Sequence, residues 1–324
     1  MKRYLVHGLY AFLLLLVAGF FLHANWQTDT PAKQAPQKDE PVANAKYQIR
    51  TFDLPDKLSF AGEEVPLHQR DLVERLDREI HTNIYWNTNT VFLMKRANRW
   101  LPSIEAILIA NDIPADFKYL PMIESDLENV VSPSQAVGFW QLLKGTATDF
   151  GLEVNDEVDE RYHPLKSTEA ACKYLQKAHD KFGNWLDATA SYNIGMNGLN
   201  RRMDEQESYD YFDLLLPEET ARYVFRVVAI KEIMEHPERY GYIVPEKHLY
   251  EEEPTKEIEV TETIPNLRAF AREQGINYKL LKRYNPWMRQ NTLTIKKKGA
   301  SYTVLIPTEA TPVQTEDLRP GSQE

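Results

Sequence analysis

The sequence predicts a mainly α-helical protein: a helical domain of about 180 residues, an ordinary domain size, followed by a small βααβ unit. Three observations lead there. Apolar residues recur at helical spacing through most of the chain between residues 61 and 241, and no stretch in that region alternates convincingly like a strand. The acidic stretch "LYEEEPTKE" at 249–257 then marks a change of character. Beyond it "IEVTET" and "SYTVLIP" alternate like strands and enclose two short helical runs, "IPNLRAFAREQG" and "NYKLLKRYN".

The chain has 324 residues, 43% hydrophobic and 27% charged, which are globular values with room for a sizeable core. A formal net charge of -10 argues against a nucleic-acid partner, because phosphate binding needs a surplus of Lys and Arg on one face. At the N-terminus Lys2 and Arg3 precede the apolar run Tyr4 to Leu22. A basic start and about 20 apolar residues read as a signal peptide or an N-terminal membrane anchor over 1–24, with the body of the chain exported to the periplasmic side of the cell envelope. Residues 25–60, rich in Pro, Gln, Lys, Asp and Ala, read as a flexible linker.

Helical periodicity begins with "LHQRDLVERLDREIHTNIYW", where Leu72, Leu76 and Ile80 share a face, and continues through "VFLMKRANRWLPSIEAILIA" to Ala110. Residues 61–112 form an N-terminal helical extension of the domain 61–248. In "STEAACKYLQKAHDKFG" Ser167 is expected to cap the helix and Gly183 to stop it. "NWLDATASYNIG" reads as a short buried helix ending in glycine, and "PEETARYVFRVVAIKEIMEHPERYG" as a long central one. Residues 255–308 form the small domain and 309–324 a loose tail. Cys172 is the only cysteine, so no intramolecular disulfide can form, and it reads as a small core residue.

The chemistry concentrates around "LPMIESDLENVVSPSQAVGFWQL" at 120–142. Glu124 follows Met122 and Ile123 at the end of a helical stretch. Apolar neighbours penalise the charged form of a carboxyl group and raise its pKa, and an acid kept neutral near pH 7 can protonate a leaving oxygen. The competing reading is a helix-end glutamate in a surface salt bridge. Glu128 lies one turn further on, in what reads as a solvated loop. No histidine pair has metal-ligand spacing, so no metal or other cofactor is expected.

Taken together and in order, Glu124-Ser125, "SPSQAVGFWQL", "TATDFGL", "SYNIG" and "ETARYV" resemble the catalytic domain of lytic murein transglycosylases, related in fold to goose-type lysozyme. Gln135 stands where that family usually has glycine, Ser191 where alanine is usual, and Leu143-Lys144 where methionine-proline is common. The resemblance implies a lysozyme-like fold and a peptidoglycan glycan strand as partner. In it Glu124 would act first as acid and then as base, releasing a 1,6-anhydromuramic acid end. Ser125 and Ser132 would orient the glutamate and the substrate's acetamido group. Gln141 and Tyr192 would hydrogen-bond in the cleft, Asn193 and Tyr223 would line or brace it, and Trp140 would be a sugar-facing wall. The trailing unit resembles a LysM module, with Leu267, Phe270, Ala271, Leu280, Leu281, Asn285, Pro286 and Ile306-Pro307 fitting the pattern. A hydrolytic muramidase on the same fold and a non-catalytic peptidoglycan-binding scaffold are the alternatives.

Overall fold

Two apolar faces, one on each side of the acidic stretch, collapse into two separate hydrophobic clusters in the computed structural model, which describes residues 49–297 and 299–309. The segment 1–24, most of the expected linker and the end of the tail lie outside the described residues. No helix among the described residues is long and apolar enough to cross a membrane.

Residues 51–60 correct the linker expectation. Leu58 and Phe60 are buried, with Phe60 edge-on to Phe117, and Phe52 and Leu54 pack against the same core. A short hairpin follows, β1 (Ser59–Phe60) with β2 (Glu63–Glu64), turned by Ala61 and Gly62 at φ +53° and +83°. Positive φ at both central residues is what a tight two-residue turn needs to match strand twist. Both Glu63 carboxylate oxygens accept backbone N–H groups, from Trp185 at 2.6 Å and Leu186 at 2.9 Å. An anion at the start of that helix satisfies donors that have no partner within it.

The helices α1 (Arg70–Tyr85) and α2 (Asn87–Ala110) come next. The short α3 (Leu120–Ser125) and α4 (Lys144–Asp149) flank a long loop. Helix α5 (Pro164–Phe182) starts three residues before the expected cap. Proline is preorganised for the first helical position, and His163 serves as N-cap through its ring nitrogen, 3.4 Å from the Lys166 amide. Burial, helped by Lys166, lowers the His163 pKa to about 4, so the ring stays neutral and can accept. Ser167 instead sits inside the first turn, fully buried, donating to the Pro164 carbonyl. The helix does stop at Gly183, at φ +79°.

Helix α6 (Trp185–Ile194) is capped by Asn184 and followed by α7 (Met196–Gln206). Helix α8 (Glu218–Glu235) runs through the core against α1 and α6, with every residue from Tyr223 to Ile230 except Arg226 buried, as its nearly all-round apolar pattern requires. Cys172 is buried in the core, which raises its thiol pKa to about 12 and leaves it inert.

In the small unit β3 (Thr255–Val260) pairs antiparallel with β4 (Tyr302–Pro307), and α9 (Leu267–Glu273) and α10 (Tyr278–Tyr284) lie between them in sequence. The βααβ order is as expected. Buried Asn285 joins helix to strand: its amide donates to the Leu281 and Leu305 carbonyls and accepts the Leu305 N–H at 2.8 Å. The unit is seated on residues 153–162 of the helical domain. Val158 packs into its core, Trp287 O accepts the Asp159 N–H at 2.9 Å, and the Glu157 carboxylate accepts from Thr292 and Thr294.

Candidate active site

Glu124 stands at the last turn of α3, where the chain must reverse sharply. It does so through Asp126 and Leu127, both left-handed at φ +54° and +57°. Non-glycine residues there cost about 1–3 kcal/mol each and persist only where surroundings hold them. Asp126 is held by its carbonyl on Arg96 Nε at 2.6 Å and its carboxylate on Asn89 at 3.2 Å; buried Leu127 is held by packing. The glutamate thus projects from a fixed turn into a groove of about 600 Å³.

The opposite wall is the loop 130–142, closed by bridges of Val137 to Val131 and Leu142. Gln135 adopts φ +63° in this loop, so the backbone shape that glycine would accept freely is retained with a side chain present. Arg161 sits behind it. Its guanidinium is paired with buried Asp159 at 2.7 and 2.9 Å and donates to the Gln135 and Leu142 carbonyls. A single buried cation thereby ties the middle and the end of the loop to one place.

Three side chains set the state of Glu124. Tyr223 on α8, 1% exposed, donates its hydroxyl to Glu124 Oε1. Arg226, one turn further along α8, donates to the Ile123 carbonyl at 2.8 Å. Desolvation by the surrounding protein is the largest effect and lifts the Glu124 pKa from 4.5 to about 7; the Tyr223 hydrogen bond and Arg226 pull down against it, and Glu219 adds a small push upward. Near neutrality the group is therefore divided between acid and carboxylate. Burial raises the Tyr223 and Tyr192 pKa values well above the usual phenol value, so both remain neutral donors. Because Tyr223 stabilises the charged form of Glu124, Tyr223→Phe is expected to move the Glu124 titration midpoint upward. An NMR titration of the side-chain carboxyl carbon checks this.

Of the other residues singled out in the sequence, Ser132, Gln141, Tyr192 and Asn193 line the groove with Glu124. The Ser132 hydroxyl accepts the Ala136 N–H, and Gln141 spends its amide nitrogen on the Val130 and Gly138 carbonyls. Tyr192 donates to the Trp140 carbonyl at 2.8 Å, and Asn193 sits between Thr220 and Glu219. Three expectations are corrected. Trp140 is no sugar-facing wall: it is 0% exposed and its indole N–H donates to Thr168 at 2.8 Å in the core. Ser125 is buried outside the groove lining, its one hydroxyl hydrogen shared between the Pro121 and Phe139 carbonyls, which fixes α3 to the loop. Tyr223 is too deeply buried to line the groove or meet substrate, and of its two expected roles it takes that of a brace, donating to Glu124 from behind.

Glu128 pairs with Arg96 at 2.8 Å with its side chain 52% exposed, away from the groove lining. Glu219, Arg226 and the Asp159–Arg161 pair were not foreseen. The first two were legible, because Glu219, Tyr223 and Arg226 recur at i, i+4 and i+7 on one face of a helix.

Fold and site together define a lysozyme-like helical domain that presents one acid of raised pKa in an open groove. Residues 103–214 match the transglycosylase SLT domain family, and residues 256–310 match the soluble lytic transglycosylase C-terminal LysM-like domain. The chain thus carries an SLT domain followed by a LysM-like domain. It is homologous to membrane-bound lytic murein transglycosylase D of Escherichia coli strain K12 and of Escherichia coli O6:H1, at 26% identity over 276 residues in each comparison. That alignment covers 82% of this chain and 59% of each relative, so the chain spans about three fifths of their length.

Proposed function

We propose that this chain is a peptidoglycan lytic transglycosylase of the cell envelope, exported by an N-terminal segment that serves as signal peptide or membrane anchor, with residues 61–248 as catalytic domain and 255–308 as glycan-oriented module. One observation carries the reading: a groove-facing glutamate whose pKa is lifted to about 7, inside a segment that matches the SLT family. The protonated Glu124 gives its proton to the oxygen bridging N-acetylmuramic acid and N-acetylglucosamine as the bond from the anomeric carbon to that oxygen breaks. As carboxylate it then takes the proton of the muramic acid C6 hydroxyl, whose oxygen bonds to the anomeric carbon. The product ends in 1,6-anhydromuramic acid, and the acid is regenerated. A nucleophile tethered in the substrate has a very high effective concentration, so one carboxyl group serves both steps.

A hydrolytic muramidase is the second reading, and Glu219 favours it: this carboxylate lines the same groove and could activate a water. Mass spectrometry of digested peptidoglycan separates the two. Transglycosylation gives ends lighter by one water than hydrolysis gives, and we expect the lighter ends. Products of hydrolytic mass would overturn the proposal in favour of the Glu219 mechanism.

A further inference from the structure

A second groove, about 460 Å³, adjoins the first, and Glu219 lines both. Ile123 lines the second groove and Glu124 the first, so the reacting centre sits on the ridge between them. The second groove is walled by α1, the start of α2 and α8. Residues 70–102 of this wall precede the SLT match, so the groove is partly built from the N-terminal helical extension.

At its rim stands Trp86, with 62% of its surface exposed. A tryptophan in the lining of a groove offers a broad apolar face together with a polar N–H to whatever the groove receives. Its backbone is nonetheless firmly placed. Trp86 is the junction between α1 and α2: its N–H donates to the Thr82 carbonyl at 3.0 Å, and its carbonyl accepts the Thr90 N–H at 3.2 Å. Thr90 is itself buried. Across the groove Arg222 is locked on the buried Glu79 carboxylate at 2.6 and 3.1 Å. An exposed indole on a fixed backbone, beside polar groups that are themselves held, suits a pyranose ring, which offers an apolar face and a polar rim.

We propose that Trp86 is a stacking platform for an N-acetylated sugar of the same glycan strand, remote from the bond that breaks. The inference rests on the peptidoglycan reading above. A strand laid over Glu124 and past Glu219 reaches this platform, whereas a short fragment at the reacting centre does not. Trp86 therefore contributes to holding long strands and takes no part in the proton transfers.

The test uses the full chain carrying Glu124→Gln, so that ligands survive, with calorimetric titration of purified uncross-linked glycan strands and of a disaccharide fragment. Adding Trp86→Ala is expected to weaken long-strand binding by about tenfold, the scale of one aromatic anchor, and to leave disaccharide binding as it was. Trp86→Phe should keep most of the long-strand affinity. With Glu124 intact, Trp86→Ala should raise KM on intact peptidoglycan and keep kcat, as loss of uniform binding does. Unchanged long-strand affinity in Trp86→Ala overturns the platform, as does equal weakening for both ligands or no binding by either parent protein. Failure of the catalytic reading looks different: Glu124→Gln would still cleave, or products would carry hydrolytic mass, while the length-dependent loss at Trp86 persisted.

Discussion

Glu124→Gln is expected to lower turnover of peptidoglycan by about 10²- to 10⁴-fold, the range for removing a positioned general acid. The amide keeps the shape of the side chain but cannot deliver a proton to the bridging oxygen. The same substitution is expected to stabilise the chain at alkaline pH. Burial raises this carboxyl from 4.5 to about 7, so between those values the folded chain holds a proton that the unfolded chain has released. With fewer protons bound when unfolded, the chain loses stability as pH rises through that window, and the deficit is complete above it. Glutamine never ionises and escapes the penalty. Allowing for solvent in the groove, the variant should gain roughly 1–3 kcal/mol at about pH 8 and nothing from this source below about pH 4. Denaturant titrations at the two pH values check the second effect independently of activity. A variant as active as the parent, with the same stability difference at both pH values, would remove Glu124 from the proposal.

Those two effects have one origin, and it explains why Glu124 was readable in the sequence. A carboxyl group directly after Met122 and Ile123, with Trp140 and its neighbours to follow, has few ways to be solvated, and local sequence already states the desolvation that raises its pKa. The helices were readable for a related reason, since α1 and α5 each bury one periodic stripe and α6 and α8 are apolar on most sides. Trp140 was misread because "GFW" suits a core and a sugar platform equally. What decides between them is Thr168, which receives the indole N–H from 28 residues away. Residues 51–60 were misread in the same way. Their few apolar side chains look insufficient alone, but their partners come from the far end of the domain: the Asp53 carbonyl accepts from Arg239 and the Ser59 carbonyl from Lys231. Burial supplied by distant sequence leaves no trace in local composition.

The boundary between the two domains shows the same limit. Composition marks a break near residue 250, yet the small unit shares its edge with the helical domain through Val158–Met288 and Asp159–Trp287. Asp159 then has two jobs. Its backbone N–H meets the LysM-like unit, and its carboxylate holds Arg161, which holds the groove loop at Gln135 and Leu142. The wall facing Glu124 is consequently fixed from behind by a buried pair that abuts the second domain.

Gly138→Ala attacks that fixture and is expected to have the largest structural effect of any single methyl group added to the loop. Gly138 has φ +82°, and an added Cβ would lie inside the contact limit of the Arg161 carbonyl oxygen and 2.9 Å from its carbon. The left-handed backbone alone costs an alanine about 1–2 kcal/mol. The clash is with backbone, which cannot swing aside as a side-chain tip could, and forced overpacking of this kind adds about 1–3 kcal/mol. Moving the Arg161 backbone also pulls its guanidinium from the two loop carbonyls, so the damage spreads to the groove wall. Thermal unfolding should fall by several degrees, and residual turnover should drop even at temperatures where the variant is folded. Gly145→Ala is the matching control: this glycine lies in α4, has ordinary φ, and a Cβ there meets nothing within 4 Å. In a helix alanine is favoured over glycine by about 1 kcal/mol, so the control should melt at the parent's temperature or slightly above it. Equal melting of the two variants would mean that the loop is free to yield, and that the position of the groove wall does not depend on Arg161.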